Sequence, residues 1–336
     1  MTTAQTSGLV QGGVAAGHRR RLAFAFMGRY GTLLGMMLMV VVFSVAAPDA
    51  FPTLSNFANI LNQAALTAII AGGLTVALIV GELDLSIGYV ASFSGVLVTG
   101  LMVDQGVPWP LAILAVLLTG AAIGAVSGLI ITKLRVNSVI ATLGVGTVVV
   151  GINYAYAGGV PVASGVPKAF LDLALGRWVA GIPNNIIFML LTLALLWVLI
   201  NRTDLGQRIQ AVGGNPDAAR LSGIRVDRIK LMAMVATGSC SAITGILLAS
   251  LIGSGTTSAA DGYLLMSFAG AFLGSATLRE GEFHIVGTFI GVLIVAIGFN
   301  GLAILGAPTF WQYVFQGAIL ILAVGLSTVA RRFAKT

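Results

Sequence analysis

The chain has 336 residues, of which 57% are hydrophobic and only 9% are charged. Because soluble domains carry about 25% charged residues, this composition excludes an ordinary soluble protein and indicates a polytopic membrane protein. The formal net charge of +7 does not indicate a nucleic-acid-binding protein, because the basic residues collect on one side of the predicted membrane spans.

The chain begins with an arm, residues 1–29, that is rich in Gly, Ala and Gln and contains three arginines at 19–21. An apolar run follows at 30–47, and the two together could pass for a secretory signal peptide. The apolar run has 18 residues, however, and further apolar runs continue after it. We therefore predict an uncleaved first span that follows a cytoplasmic arm.

Ten apolar segments approach the length of a membrane span, which is about 20 residues for about 30 Å of hydrocarbon. They are 30–47, 60–80, 87–103, 111–131, 138–156, 184–200, 229–252, 263–276, 285–304 and 311–330. Ten spans place both termini on one side, and the basic tail 331–336 indicates that this side is cytoplasmic. Of the 18 Lys and Arg residues, only Lys168 and Arg177 then lie outside, as does Asp261. The prediction is an all-α polytopic protein with one transmembrane domain, residues 30–330.

Two of the ten segments, 87–103 and 263–276, are unusually short. They occupy the same place in two groups of spans, spans 2–5 and spans 7–10. Their sequences are also alike, with GYVASFSG from Gly88 and GYLLMSFAG from Gly262. Since an offset of five spans reverses the orientation, we predict an inverted repeat. Short segments at matching places of such a repeat indicate the transport path.

The acidic turn, residues 81–88, contains Glu82, Asp84 and Ser86 between two apolar runs. If full spans surround the turn, it lies at the cytoplasmic interface, and Asp84 or Ser86 caps the next helix. If the helices are broken instead, the carboxylates lie deeper. A deep carboxylate costs about 2.5–3.5 kcal/mol on insertion scales unless water or a partner is beside it. The residues leave both interpretations open.

Three polar residues inside the predicted spans are further candidates: Asn153, Tyr154 and Asn300. They form hydrogen bonds between helices, or they contact the hydroxyl groups of a solute in the path. The predicted path or gate therefore consists of six residues: Glu82, Asp84, Ser86, Asn153, Tyr154 and Asn300.

The longest polar interruption after the arm is the loop 201–230, which carries six of the 18 Lys and Arg residues. It contains a short predicted helix with Asn215 as its cap, Pro216 at the first helical position and Gly223 as its stop. A helix of about seven residues is not stable alone in water, so it needs a surface to lie against.

Two interpretations of this short helix remain open. The first is a solvated loop with one ordered turn. The second is a docking element, in which Ala218, Ala219 and Leu221 form one compact apolar face. The apolar face favours the second interpretation.

Residue counts exclude several kinds of catalytic site. The single cysteine, Cys240, excludes an intrachain disulfide and a multi-cysteine metal site. The two histidines, His18 and His284, are too few and too separate for a zinc or iron site or for a Ser-His-Asp arrangement. The sequence contains no Gly-Lys dipeptide, so it has no P-loop for ATP. We therefore predict no catalytic residue, no metal and no cofactor in this chain, which is not expected to be an enzyme.

Two motifs resemble those of known transport proteins. Residues 217–223, Asp-Ala-Ala-x-x-x-Gly, resemble the EAA-x-x-x-G loop of ABC importer permeases, without the Leu-Pro that usually closes it. Residues 82–88, Glu-x-Asp-Leu-Ser-x-Gly, are similar to the G-x-D-L-S-x-G signature of the ribose-type sugar permeases of bacterial ABC importers. The sequences at 211–215 and 310–312 agree, and the resemblance covers roughly residues 55–330. The charged stretch 279–283 departs from the family, which usually has an uncharged Gly-rich turn there.

The resemblance implies a membrane-spanning subunit that imports a sugar or sugar-like solute across a bacterial cytoplasmic (inner) membrane. Its implied partners are a separate ATP-binding-cassette ATPase, which would hold ATP and Mg, an extracytoplasmic sugar-binding protein, and a second copy in a homodimer. The short helix would be the coupling helix in a cleft of the ATPase. Its residues are Asn215, Pro216, Asp217, Ala218, Ala219, Arg220, Leu221, Ser222 and Gly223.

The main alternative function is a secondary transporter or channel that uses Glu82 and Asp84 as a proton or cation relay. A third function, an intramembrane enzyme, lacks a nucleophile–base pair in this sequence.

Overall fold

The computed structural model describes residues 30–163, 165–278 and 281–333. Within these ranges the chain forms thirteen α-helices and no β-strand, apart from two isolated bridges. The helices are α1 (Tyr30–Ala46), α2 (Leu54–Ile79), α3 (Ile87–Val103), α4 (Trp109–Lys133), α5 (Ser138–Ala157), α6 (Lys168–Leu175), α7 (Asn184–Arg202), α8 (Asp204–Gly214), α9 (Pro216–Leu221), α10 (Val226–Ile252), α11 (Asp261–Ser275), α12 (Ile285–Ile304) and α13 (Phe310–Phe333). The predicted arm 1–29, residues 279–280 of the charged stretch and the tail residues 334–336 lie outside the described residues.

Each of the ten predicted apolar segments corresponds to one helix, so the all-α prediction is confirmed. Six helices are long and apolar enough to cross a membrane by themselves: α2, α4, α5, α7, α10 and α12. Helices α3 and α11 have only 17 and 15 residues. Ten full crossings therefore stay a prediction. We call the end of the bundle that carries α8 and α9 the inner end.

Helix α2 is the centre of the bundle, and every residue from Ala64 to Leu78 is buried. A helix that is apolar on all sides belongs in the interior. Helix α10 runs antiparallel to it: the Thr237 hydroxyl donates to the carbonyl of Gly73 (3.1 Å). Further along α10, the Thr244 hydroxyl donates to the carbonyl of Leu66 (3.3 Å), which comes before Gly73 in α2.

Glycines let α4 approach α10 on the side away from α2. A Cβ added to Gly120 would lie 2.5 Å from the Cβ of Ala242, and one added to Gly128 would lie 3.0 Å from the Cα of Leu231. No side chain fits at such distances, so the two backbones are in direct contact, as small residues permit in membrane helices. Helix α10 is thus held between α2 and α4.

The helices α2–α5 and α10–α13 make matching contacts. Helix α4 packs against α10, and α12 packs against α2. Helix α3 packs against α10, and α11 packs against α2; α5 packs against α3, and α13 packs against α11. Exchanging the two groups of helices therefore leaves the pattern of contacts unchanged.

Candidate translocation site and coupling surface

The segment between α2 and α3, here called the first linker (residues 80–86), turns and then runs extended along the start of α5. The Leu83 N–H donates a hydrogen bond to Ser138 Oγ (3.2 Å). The Leu85 N–H donates to Thr142 Oγ1 (3.1 Å). Non-helical backbone inside a membrane requires such internal partners, so the hydroxyls of α5 allow the extended segment to lie within the bundle.

The first linker ends well inside the bundle. A Cβ added to Gly146 of α5 would lie 3.4 Å from the Cα of Ser86. Since α5 begins at Ser138, Gly146 lies about 12 Å along it, at about 1.5 Å per residue. Helix α3 therefore begins about two turns deeper than α5, which corresponds to the interpretation with broken helices.

Asp84 is only 1% exposed, and its Oδ1 accepts two hydrogen bonds from Ser86. The backbone N–H donates at 2.9 Å and the hydroxyl at 2.6 Å, directly before α3 begins at Ile87. The structure thus combines both interpretations of the acidic turn: Asp84 lies deep, and with Ser86 it organises the start of α3.

Glu82, at the inner end of the first linker, forms an ion pair with Lys230. The two side chains are 9% and 24% exposed. Lys230 lies near the start of α10, which begins at Val226, shortly after α9 ends at Leu221. The ion pair therefore ties the first linker to the helix that follows α9.

The segment between α10 and α11, here called the second linker (residues 253–260), is also held by hydrogen bonds. Gly255 and Val162 exchange two backbone hydrogen bonds (2.8 and 2.9 Å). The Asn153 side chain, on α5, donates from Nδ2 to the Thr257 carbonyl (3.0 Å). The second linker thus leaves the outer end of α10 and passes α5.

Ser92 of α3 fixes the point at which the second linker becomes α11. Its hydroxyl accepts a hydrogen bond from the Ala260 N–H (3.0 Å) and donates one to Asp261 Oδ1 (3.2 Å). Gly88, about one turn earlier in α3, lies at the same place, because a Cβ added to it would lie 3.0 Å from the Ala260 carbonyl oxygen. The two short helices α3 and α11 therefore begin beside each other.

These helix starts are level with the middle of the bundle. Ser92 lies in the part of α3 that packs against Gly245 of α10. The preceding residue, Thr244, donates to the Leu66 carbonyl, and Leu66 lies midway along α2. Asp261 thus lies at this middle level. The prediction from ten successive spans, which placed Asp261 outside the membrane, was wrong. The difference arises because the second linker runs back into the bundle before α11 begins.

The other polar residues predicted for the path take separate positions. Asn300 is 6% exposed and accepts a hydrogen bond from Asn56 Nδ2 (3.0 Å), which joins α12 to α2. Asn153 holds the second linker, and its Oδ1 is buried without a hydrogen-bond partner among the described residues. Tyr154 is 50% exposed. The structure therefore brings Asn153 to the second linker and places Asn300 in a contact between helices.

The short helix predicted in the polar loop is α9, and the signals at both of its ends are confirmed. Asn215 Oδ1 accepts hydrogen bonds from the N–H groups of Asp217 and Ala218, each at 3.0 Å, and Pro216 is the first helical residue. Gly223, just beyond the other end, has a φ of +84°. This left-handed backbone is the one that glycine adopts at a helix stop.

The apolar face predicted for α9 is divided between two sides of the helix. Ala219 is 5% exposed and packs into the core, whereas Leu221 is 91% exposed and Ala218 is exposed. Residues three apart share a side of a helix and adjacent residues do not. The exposed side is therefore formed by Ala218 and Leu221, with Asp217 and Arg220 beside them as an exposed ion pair (3.4 Å).

Helix α8 joins α9 to the bundle. Its residues Ile209 and Val212 are buried in the main core. Gly213 packs so closely on the end of α2 that an added Cβ would collide with the Ile79 carbonyl oxygen. Through α8, helix α9 is thus fixed to the inner ends of α2 and α10.

The cysteine and the described histidine have structural roles. Cys240 is 4% exposed and lies against Gly73 of α2. His284 caps α12, because its Nδ1 accepts a hydrogen bond from the Gly287 N–H (2.8 Å). Within residues 30–163, 165–278 and 281–333, no three His, Cys, Asp or Glu side chains come together as metal ligands would. His18 lies outside these residues.

Three residues of this arrangement were missed by the sequence reasoning: Ser92, Lys230 and Asp261. Lys230 was counted only as one basic charge of the polar loop. Ser92 lies inside the first of the two similar segments, and Asp261 directly precedes the second. The similarity of those segments was a signal, since it marked the two places at which short helices begin.

Comparisons with known proteins give the family. Residues 56–324 match the family described as branched-chain amino acid transport system / permease component. The ribose import permease protein RbsC of Bacillus subtilis (strain 168) is 38% identical over 308 residues, covering 91% of this chain and 95% of the relative. RbsC of Escherichia coli (strain K12) is 33% identical over 309 residues (91% and 95%), and the D-allose transport system permease protein AlsC of that strain is 31% identical over 312 residues (93% and 95%). No solved structure matches the chain.

The matched region includes both linkers, the short helix α9 and nearly all of the helices that pack around α2. The relatives align over about nine-tenths of both chains, so the similarity is not confined to one motif. The chain therefore belongs to this permease family, as a membrane-spanning subunit of an ABC importer.

Proposed function

We propose that the solute imported through this subunit is a sugar or a sugar-like molecule. The observation that carries the proposal is that the relatives aligning with 91% or more of this chain include permeases for ribose, D-allose and L-arabinose. The family description names branched-chain amino acids instead. Such amino acids are therefore the second class of solute to be tested.

The proposed topology is an inverted repeat, with α2–α5 as one half and α10–α13 as the other. The matching helix contacts of the two halves support it. In this topology α3 and α11 begin at the middle level, and each linker supplies the rest of a crossing in extended form. With α1 and α7, the chain then crosses the membrane ten times, with both termini and the inner end on the cytoplasmic side.

The proposed coupling surface is the exposed side of α9, which would sit in a cleft of a separate ATP-binding-cassette ATPase. Movement of α9 would displace the first linker through two contacts. One is the packing of α8 on the end of α2, and the other is the ion pair between Lys230 and Glu82. The first linker leads to the start of α3 at the middle level. ATP and Mg would be held by the ATPase alone.

The remaining proposed partners are a second copy of this chain, forming a homodimer, and an extracytoplasmic binding protein that delivers the solute. Membership of the permease family supports the binding protein as a partner. The path would run between helices that begin at the middle level, since matching breaks in a repeat mark the path in transporters.

The geometry does not favour the alternative in which Glu82 and Asp84 relay protons or cations. Asp84 is engaged by Ser86, and Glu82 is engaged by Lys230. Both carboxylates are thus used in contacts that hold the first linker in place.

The test is uptake into proteoliposomes that contain this chain. We expect no uptake of labelled ribose by the chain alone, and uptake when the ATPase, ATP and the binding protein are added. Uptake should continue after the proton gradient is collapsed. Labelled leucine in place of ribose decides between the two classes of solute. Solute uptake by the chain alone, driven by a pH or sodium step, would contradict the proposal.

Coupling is tested on the exposed side of α9. Leu221→Glu should prevent co-purification of the ATPase, because it places a charge on the side that would enter the cleft. Since Leu221 is 91% exposed, the permease itself should remain folded. Arg220→Ala is the matched control, because an exposed ion pair is worth under about 1 kcal/mol. Normal ATPase binding by the Leu221→Glu protein would show that α9 is not the coupling element.

A further inference from the structure

Asp261 stands apart from the other carboxylates near the linkers, because it is exposed on the surface of the bundle. Its Oδ1 accepts a hydrogen bond from Ser92, and Ser92 is itself held by the N–H of Ala260. The described residues give Asp261 Oδ2 no hydrogen bond. Ser258 and Gly262, on either side of it in sequence, are exposed as well. The chain therefore presents a short polar surface at this point.

The level of this polar surface is its unusual property. Ser92 packs beside Gly245 of α10, and the neighbouring Thr244 is bonded to Leu66, midway along α2. An exposed carboxylate at the middle of a membrane-spanning bundle is costly if lipid surrounds it. Such residues face a water-filled cavity or a binding partner, and they mark transport paths. The surface at Asp261 accordingly does not face lipid.

The distribution of positive charge narrows the choice of what faces Asp261. Every Lys and Arg of the described residues belongs to a segment at one of the two ends of the bundle, either the inner end or the outer segment 158–183. A second copy of the chain therefore brings no described cation to the middle level. The group that faces Asp261 is therefore a hydrogen-bond donor other than a Lys or Arg side chain of the described residues.

Hydroxyl groups of a neutral solute fit this requirement. A carboxylate is an acceptor only, and its hydrogen bonds from hydroxyl groups are short and strengthened by the charge. We propose that Asp261, positioned by Ser92, accepts hydrogen bonds from the hydroxyl groups of the transported molecule halfway along the path. The inference rests on the proposed function and identifies a contact site for a polyhydroxylated solute.

Accessibility provides the first test, with the whole transporter in nanodiscs and Cys240→Ser as background. Asp261→Cys should react with a charged, membrane-impermeant thiol reagent at least ten times faster than Leu195→Cys. Leu195 is the matched control, because it is 68% exposed in the middle of α7. Equal and slow reaction of both cysteines would place Asp261 against lipid or protein and would overturn the inference.

Transport provides the second test. Asp261→Asn keeps the size of the side chain and weakens its acceptor, so ribose uptake should fall at least five-fold. Stimulation of the ATPase by the loaded binding protein and the yield of the assembled transporter should stay as in the wild type. Asp261→Glu should recover part of the uptake, which a purely structural role would not predict.

The outcomes separate this inference from the proposed function. If the wild type moves no ribose, the proposed solute class fails. If the wild type moves ribose and Asp261→Asn does so equally fast, the inference alone fails.

Discussion

The first linker and the second linker occupy matching places in the two halves of the chain, yet their carboxylates are used in different ways. In the first linker, Glu82 is paired with Lys230 and Asp84 with Ser86, and both carboxylates are buried. At the end of the second linker, Asp261 is exposed. Both linkers end where a short helix begins, at nearly the same level.

The comparison shows that similar architecture can separate two tasks. The first linker uses its polar groups to hold its own backbone and to join it to the inner end of the bundle. The second linker is held by Val162, Asn153 and Ser92, which belong to other segments, so the carboxylate of Asp261, which follows it, is left for other contacts. In this chain the first linker, which contains Glu82 and Asp84, is anchored by its carboxylates. The second linker is followed by Asp261, whose carboxylate is exposed.

The largest expected effect comes from removing the acceptor of the first linker. Asp84→Ala leaves the buried N–H and hydroxyl of Ser86 without a partner, and each unsatisfied buried donor costs about 1–3 kcal/mol. We expect the free energy of unfolding to fall by about 3 kcal/mol. Denaturant unfolding of the purified protein measures this fall. Asp84→Asn, which keeps an oxygen at the same place, should stay within about 1 kcal/mol of the wild type.

An intermediate effect is expected in the second linker. A Cβ added to Gly255 would lie 2.6 Å from the Cα of Val96 and 2.7 Å from the Gly95 carbonyl oxygen, so Gly255→Ala must push the linker away from α3. Overpacking of this kind costs about 1–3 kcal/mol. We expect thermal unfolding at a lower temperature. Gly262→Ala is the control, because nothing lies within 4 Å of its added Cβ, and its unfolding temperature should not fall.

The smallest expected effect concerns the ion pair between the first linker and α10. Glu82→Gln should lower the free energy of unfolding by about 1 kcal/mol, less than for a fully buried pair, since Lys230 is 24% exposed. The double variant Glu82→Lys with Lys230→Glu should be more stable than expected from the sum of its two single changes, because it restores an ion pair. Asp217→Asn, in the exposed pair of α9, should have no measurable effect. A double variant no better than the sum of the two single changes would show that the pair does not stabilise the protein.

Sequence reasoning succeeded where structure depends on near neighbours. The cap Asn215 and the stop Gly223 of α9 act within a few residues, so the pattern predicted both. The apolar segments became helices for the same reason. Whether the coupling and path residues act as predicted is untested and depends on the experiments above.

The level of the linkers could not be predicted, because it depends on partners far away in the chain. The hydroxyl that receives the Leu83 N–H is 55 residues away, on Ser138, and the Ser92–Asp261 bond joins residues 169 apart. Hydropathy alone counts α3 and α11 as short spans and places Asp261 outside. Only the three-dimensional packing shows that both helices begin inside the bundle.

The position of α2 at the centre of the bundle has a consequence for biosynthesis. Helix α10, which is made after α7, is bonded to α2 through Thr237 and Gly73, which are 164 residues apart. At about 5–20 residues per second, the ribosome completes that neighbour about 10–30 s after α2 has been made. During this interval α2 has been inserted without α10, which is one of the helices that cover it. The newly made chain is therefore most exposed to membrane proteases and to wrong helix pairing before α10 arrives, and a truncation after α7 would leave α2 in that state permanently.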